Sequence, residues 1–185
     1  MTMQLNVRME VEAVRKMLKE SQRKILPKVV GYALNETART VQKIGIKLIA
    51  DDIGIKQKLV RQQLKIRRAT WRNLSGSVEA NGRRLPVSAL KARAGFGGVT
   101  YQGKGGGRRK VPGGFMATMS NGHTGAFKRQ FKNRLPIYEL HGPSIPHVFV
   151  QRRMDKAMRE TAQHRWPVVF QRELKYRLNQ AGYGR

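Results

Sequence analysis

The residues able to do chemistry in this 185-residue chain are few and poorly spaced for it. The histidines are His123, His141, His147 and His164. A zinc site needs imidazoles and carboxylates on one face, commonly at i,i+4 as in HExxH. No two of these histidines stand at that spacing, and no acid cluster joins them. Ser144 lies near His147, but no GxSxG elbow surrounds them. Asp51 and Asp52 sit at the end of a helical pattern, a local rather than catalytic setting. Gly103, Lys104, Gly105, Gly106 and Gly107 suggest a phosphate cradle, yet the Lys-Ser/Thr ending and the strand-to-helix setting are missing. That run reads as a flexible basic loop. With no cysteine there is no thiolate nucleophile, thiolate metal site or disulfide. The expectation is a non-enzyme without metal or cofactor.

What the chain does carry is positive charge. Thirty-eight Lys and Arg oppose eleven Asp and Glu, a formal +27. Residues 53–138 hold nineteen of the bases against one acid, Glu79. A surface so charged repels itself and calls for a polyanion or acidic neighbours; the bland alternative is a solvated basic face with no specific partner. The leading candidate contacts are Lys104, Arg108, Arg109 and Lys110, with Arg67, Arg68 and Arg72 next. Aromatics interleave with these bases: Trp71, Phe96, Tyr101, Phe127 and Phe131. They could stack bases of a single strand, although core packing explains most of them more simply. No helix-turn-helix, RNP or zinc-finger pattern is present. Contact with nucleic acid would therefore be to phosphates, blind to sequence and sensitive to salt.

The elements that must position these residues follow from periodicity and breakers. Residues 6–26 carry apolar positions at helical spacing. Residues 28–53 give the strongest helical signal, with Val30, Ala33, Leu34, Ala38, Val41, Ile44, Leu48 and Ile49 at three- and four-residue steps. Gly31 and Gly45 inside it suggest close approach of another helix, and Gly54 stops it. A short helix is expected over 56–64 and extended chain over 65–72 and 74–80. Asn81-Gly82 then signals a turn into a returning strand at 85–90. Residues 94–110 are rich in glycine and arginine around one short strand, 99–102, and are expected to be mobile or extended until a partner orders them. Ser120-Asn121-Gly122 joins two runs, 111–119 and 126–131, in a tight β-connection, and a third run covers 135–140. Ser144 and Pro146 begin a helix to about residue 164. Trp166-Pro167 marks a break or kink, a further helix follows, and 179–185 frays.

Strands grouped between helices argue an α+β fold: a central antiparallel sheet flanked by long N- and C-terminal helices, with a Gly-rich basic loop, as one domain over 1–185. Phe115, Phe127, Ile137, Leu140 and Phe149 are the expected core. No run reaches the ~20 apolar residues of a membrane span, and the first residues lack a signal pattern, so no membrane partner is expected.

Four segments carry a resemblance: ALNETARTVQK (33–43), LPVSALKAR (85–93), VPGGFMATMSNGHTGAFKR (111–129) and RLPIYELHGPSIPHVF (134–149). They resemble the prophage minor tail protein Z family, the tail-completion proteins of lambda-like tailed phages. Phe115, Phe127, Pro136, Pro146 and Phe149 carry the structural motif, including the PxxF element of Pro146 to Phe149 that starts the closing helix. The resemblance implies a structural virion protein, assembled in the host cytoplasm, that completes the head-proximal end of a tail as a ring, sixfold in expectation. It implies tail-terminator, tail-tube or connector proteins as partners, and phage DNA near the basic surface. The competing expectation is a sequence-nonspecific nucleic-acid-binding protein of the ribosome- or nucleoid-associated type. It binds duplexes as a monomer or dimer and forms no ring.

Overall fold

The computed structural model describes residues 2–4, 12, 15, 16, 18, 24–103, 106–151 and 154–183. The fold is α+β, and its long N- and C-terminal helices share a core. The order is β1 (Thr2–Gln4), α1 (Leu26–Ile53), α2 (Gln57–Gln63), β2 (Leu64–Arg67), β3 (Ser77–Ala80), β4 (Arg84–Pro86), β5 (Arg93–Gly95), β6 (Gly98–Gln102), β7 (Arg108–Pro112), β8 (Gly114–Thr118), β9 (Thr124–Arg129), β10 (Ile137–Glu139), β11 (His141–Ser144), α3 (Ile145–Gln151) and α4 (Met154–Gln180). A 3-10 turn, Val87–Ala89, follows β4. The helix expected over 6–26 falls mostly outside the described residues.

The chain forms two compact units. The first takes Met1–Gly45, Leu64–Ala80 and Arg153–Arg185. Its core joins Val29, Val30, Ala33 and Leu34 of α1 to Trp166, Val169 and Phe170 of α4. These positions recur at three- and four-residue steps, so each helix turns one apolar stripe inward. Trp166 and Phe170 stack at 5.3 Å between ring centroids. Gly45 of α1 packs closely on α4: a β-carbon there would lie 2.8 Å from the Met158 sulfur. Gly31, the other glycine of α1, faces only Leu74 at an ordinary 4.0 Å. The sheet of this unit runs β1-β3-β2, all antiparallel, with Ile66 opposite Val78. Glu173 is buried on α4 and holds Arg177 at 2.6 Å one turn later.

The second unit takes Ile46–Gln63 and Asn81–Arg152. It contains three small sheets: β5-β6-β7, β10-β9-β8 and the pair β11-β4. The Ser120-Asn121-Gly122 turn closes the β8–β9 hairpin as expected, with Phe115 opposite Phe127 and Gly122 at φ 80°. Val87, Val99 and Ala126 form the buried centre. Backbone bonds tie the sheets around it: Leu140 N–H donates to the Ala126 carbonyl at 2.7 Å, Val87 N–H to Leu140 at 2.9 Å and Gln102 N–H to Leu90 at 2.8 Å.

Several expectations need correction. In place of one central sheet there are four short antiparallel ones, because Gly and Pro interrupt nearly every strand within six residues. Asn81-Gly82 does not close a hairpin. The Asn81 side chain accepts from the Arg83 N–H at 3.2 Å, a local Asx turn, and β4 leaves to pair with β11. The strand expected over 85–90 ends at Pro86, which has no N–H to continue a ladder. The segment 94–110 is mostly strand, with Val99 opposite Val111 and Thr100 opposite Lys110. The closing helix expected from Ser144 and Pro146 to about residue 164 is helical over Ile145–Gln151 and again from Met154 on, with residues 152–153 outside the described set. Trp166-Pro167 does not end the helix: α4 runs through Pro167 to Gln180. The buried neighbours Trp166, Val169 and Phe170 hold that turn despite the missing donor. The C-terminus of α4 closes on Gly182 at φ 79°, with Tyr183 N–H donating to Leu178 at 2.9 Å. Phe127 and Phe149 are buried as expected, whereas Phe115, Ile137 and Leu140 are half-buried and Pro136 is exposed.

Candidate nucleic-acid interface

The basic residues singled out from the sequence fall into two groups, one in each unit. Arg67, Arg68 and Arg72 belong to the first and are exposed. Arg67 ends β2, and the connection to β3 is a tight turn in which Thr70 N–H donates to the Asn73 carbonyl at 2.8 Å. At the tip of that turn Trp71 is 67 % exposed, and the Arg72 guanidinium lies over its ring at 4.6 Å. Arg72 is thus already engaged in a cation–π contact, and Trp71 presents its other face to solvent.

Arg108, Arg109 and Lys110 lie together on β7 in the second unit. Lys104 is outside the described residues. Strand alternation sends the three side chains to different places. Arg108 is taken up by its own sheet: Nη2 donates to Thr100 Oγ1 at 2.9 Å and to the Thr100 carbonyl at 3.2 Å. Lys110 reaches back to the β5–β6 turn, where its Nζ would stand 3.5 Å from a β-carbon on Gly97. At that turn Phe96 is fully exposed. Arg109, opposite Tyr101, turns the other way. Its Cγ, Cδ and Nε lie at 3.2 Å from where a Gly103 β-carbon would be, so the side chain rests on the bare backbone of Gly103.

Arg109 faces a cleft of about 430 Å³ that sequence reasoning missed. Tyr101, Arg84, His141, Ser144 and His147 line it as well. Arg84 on β4 stands directly opposite Ser144 on β11, and His147 follows Ser144 by about one turn into α3. His141 Nδ1 donates to the Glu139 carbonyl at 3.0 Å, which leaves Nε2 outside that bond. Among the described residues, the guanidinia of Arg84 and Arg109 have no hydrogen-bond or ion-pair partner, and no carboxylate lines the cleft. The nearby Glu139 carboxylate is held elsewhere, 3.1 Å from His123 Nε2. The signal in the sequence was too diffuse to find this group, since its members come from four separated segments.

Most of the aromatics interleaved with bases are not core. Trp71, Phe96 and Phe131 are exposed, Tyr101 is half-buried and only Phe127 is buried. Among the described residues no three His, Asp or Glu come together as metal ligands.

Residues 10–181 match the model of a family described as prophage minor tail protein Z. A tail completion protein of Escherichia phage N15 is 24 % identical over 123 residues, which are 60 % of this chain and 65 % of that relative. The chain thus spans just under two thirds of that relative's length. No solved structure matches.

Proposed function

The chain belongs to the prophage minor tail protein Z family, and from that premise we propose that it completes the head-proximal end of a phage tail as a ring of subunits. A structural role in the virion tail is common ground for this family of tail-completion proteins. The single observation that carries the finer reading is the family match over 172 positions, residues 10 to 181, which takes in both long helices and all but one of the strands.

A closed ring needs head-to-tail contacts in which one patch meets a different patch on the neighbour. Two unlike patches are available. The β9–β10 connection exposes Phe131 and Leu135, β10 exposes Tyr138, and α4 exposes Val168 and Tyr176. The edge strands β7 and β8 offer unpaired backbone groups to adjoining tail-terminator, tube or connector rings. The excess of positive charge then faces the genome or acidic neighbouring rings. Deleting the gene tests the reading: heads and tail tubes should still form, while the particles lose infectivity. Fully infectious virions without the chain would contradict it and favour a nucleic-acid-binding protein that acts outside the particle.

A further inference from the structure

The cleft between the β4–β11 pair and the β6–β7 pair assembles donors and leaves them without an acceptor. Arg84 and Arg109 bring two guanidinium forks from two different strand pairs, Ser144 a hydroxyl, Tyr101 a phenol, and His141 and His147 imidazoles. One guanidinium is enough to satisfy both oxygens of a planar carboxylate. Two exposed guanidinia with a hydroxyl and imidazoles lining one cleft from separate elements suit an anion whose oxygens point in more than two directions. The walls are fixed by the backbone. Arg84 is in register with Ser144 and Arg109 with Tyr101; the Val87-to-Leu140 bond extends the β4–β11 pair, and the Gln102-to-Leu90 bond ties β6 to the turn after β4. Gly142 packs closely on the Leu90 side chain, which backs the strand carrying His141 and Ser144. The volume lies in the range of small-ligand sites.

We propose that this cleft is a phosphate-binding site, in which Arg84 and Arg109 hold the anion and Ser144, His141 and His147 complete its donor shell. The phosphate is that of a DNA backbone or of a small phosphate ion, and the chemistry of recognition is the same. The DNA source rests on the genome contact in the proposed function. The site itself is independent of ring assembly and is tested on the isolated chain.

The experiment titrates a short fluorescent DNA duplex with the full chain and with two double variants of equal charge loss, R84Q/R109Q and R67Q/R68Q. Thermal melts confirm that both fold, and R84K/R109K keeps the charge while removing the forks. In parallel, the histidine ring signals are followed by NMR as inorganic phosphate is added. We expect R84Q/R109Q to lower duplex affinity at least tenfold and to flatten its salt dependence, R84K/R109K to recover only part, and R67Q/R68Q to change affinity less than threefold. The His141 and His147 signals should move saturably with phosphate, and R84Q/R109Q should abolish the movement. Saturable histidine shifts without a cleft-specific loss on duplex would assign the site to small phosphates. Equal losses from both double variants, together with histidine signals that ignore phosphate, would overturn the proposal. So would poly-glutamate binding that depends on the cleft pair as strongly as DNA does. A failure of ring assembly in particles would leave these results unchanged, so the two readings fall separately.

Discussion

Asn35 of α1 grips the backbone of Ala69 with both ends of its amide. Nδ2 donates to the Ala69 carbonyl at 3.0 Å, and Oδ1 accepts from the Ala69 N–H at 2.9 Å. The pair of bonds continues, through a side chain, the pairing that β2 loses after Arg67. It also pins Ala69, which is buried against the core of α1 and α4. Asn35→Ala should therefore cost about 2–3 kcal/mol, from two lost bonds and a stranded backbone group. Asn35→Asp keeps the acceptor but turns a carboxylate oxygen toward the Ala69 carbonyl, and should be at least as damaging. Chemical denaturation of the two variants checks this, and a neutral Asn35→Ala would contradict it.

The approach of α1 and α4 at Gly45 gives a graded prediction. Gly45→Ala removes a flexible residue from a helix, a gain of about 1 kcal/mol. The new methyl displaces the tip of buried Met158, and the two effects should nearly cancel. Gly45→Leu cannot be absorbed by one methionine and should cost about 2–3 kcal/mol by overpacking. Melting temperatures of the two variants against the parent chain decide the matter.

Pro167 lies inside α4, where the missing N–H leaves the carbonyl of exposed Gln163 to solvent. Pro167→Ala restores that bond and relieves the ring contact with the preceding turn, at the cost of a freer unfolded chain. The net effect should be a gain of about 1–2 kcal/mol. A loss in denaturation experiments would mean that the proline shapes the helix for a packing reason not captured by its local geometry.

Strand β6 is central in its sheet, paired with β5 on one side and β7 on the other. The amides of Val99 to Tyr101 should exchange with solvent far more slowly than those of Gly106 and Gly107 in the turn that follows. Hydrogen exchange on the isolated chain reads this directly. Uniformly fast exchange across 98–112 would mean that the sheet forms only with a partner.

These elements differ in how legible they were. The long helix over 28–53 was evident because Val30, Ala33, Leu34, Ala38 and Val41 mark one stripe, and that stripe is buried. The β8–β9 hairpin was evident because Asn121-Gly122 supplies the positive φ its turn requires. Asn81-Gly82 carries the same letters, yet there the Asn81 side chain bonds to Arg83 and the following strand finds a distant partner. Glycine density hid the sheet of 93–112, whose cross-strand pairs, Val99 with Val111 above all, are too sparse to give a periodic signal. Trp166-Pro167 misled because local propensity yields to the burial of the residues around it. Of the candidate site, Arg109 was foreseen. Arg84, His141 and His147 were not, since only tertiary pairing brings them to one cleft.

Placement of this chain between head and tail can be read from gold-labelled antibody against it, applied to purified intact virions and viewed by electron microscopy. Label is expected at a single position on each particle, at the end of the tail that joins the head. Label at the distal tip or along the tube, or virions that carry none of the chain, would contradict it.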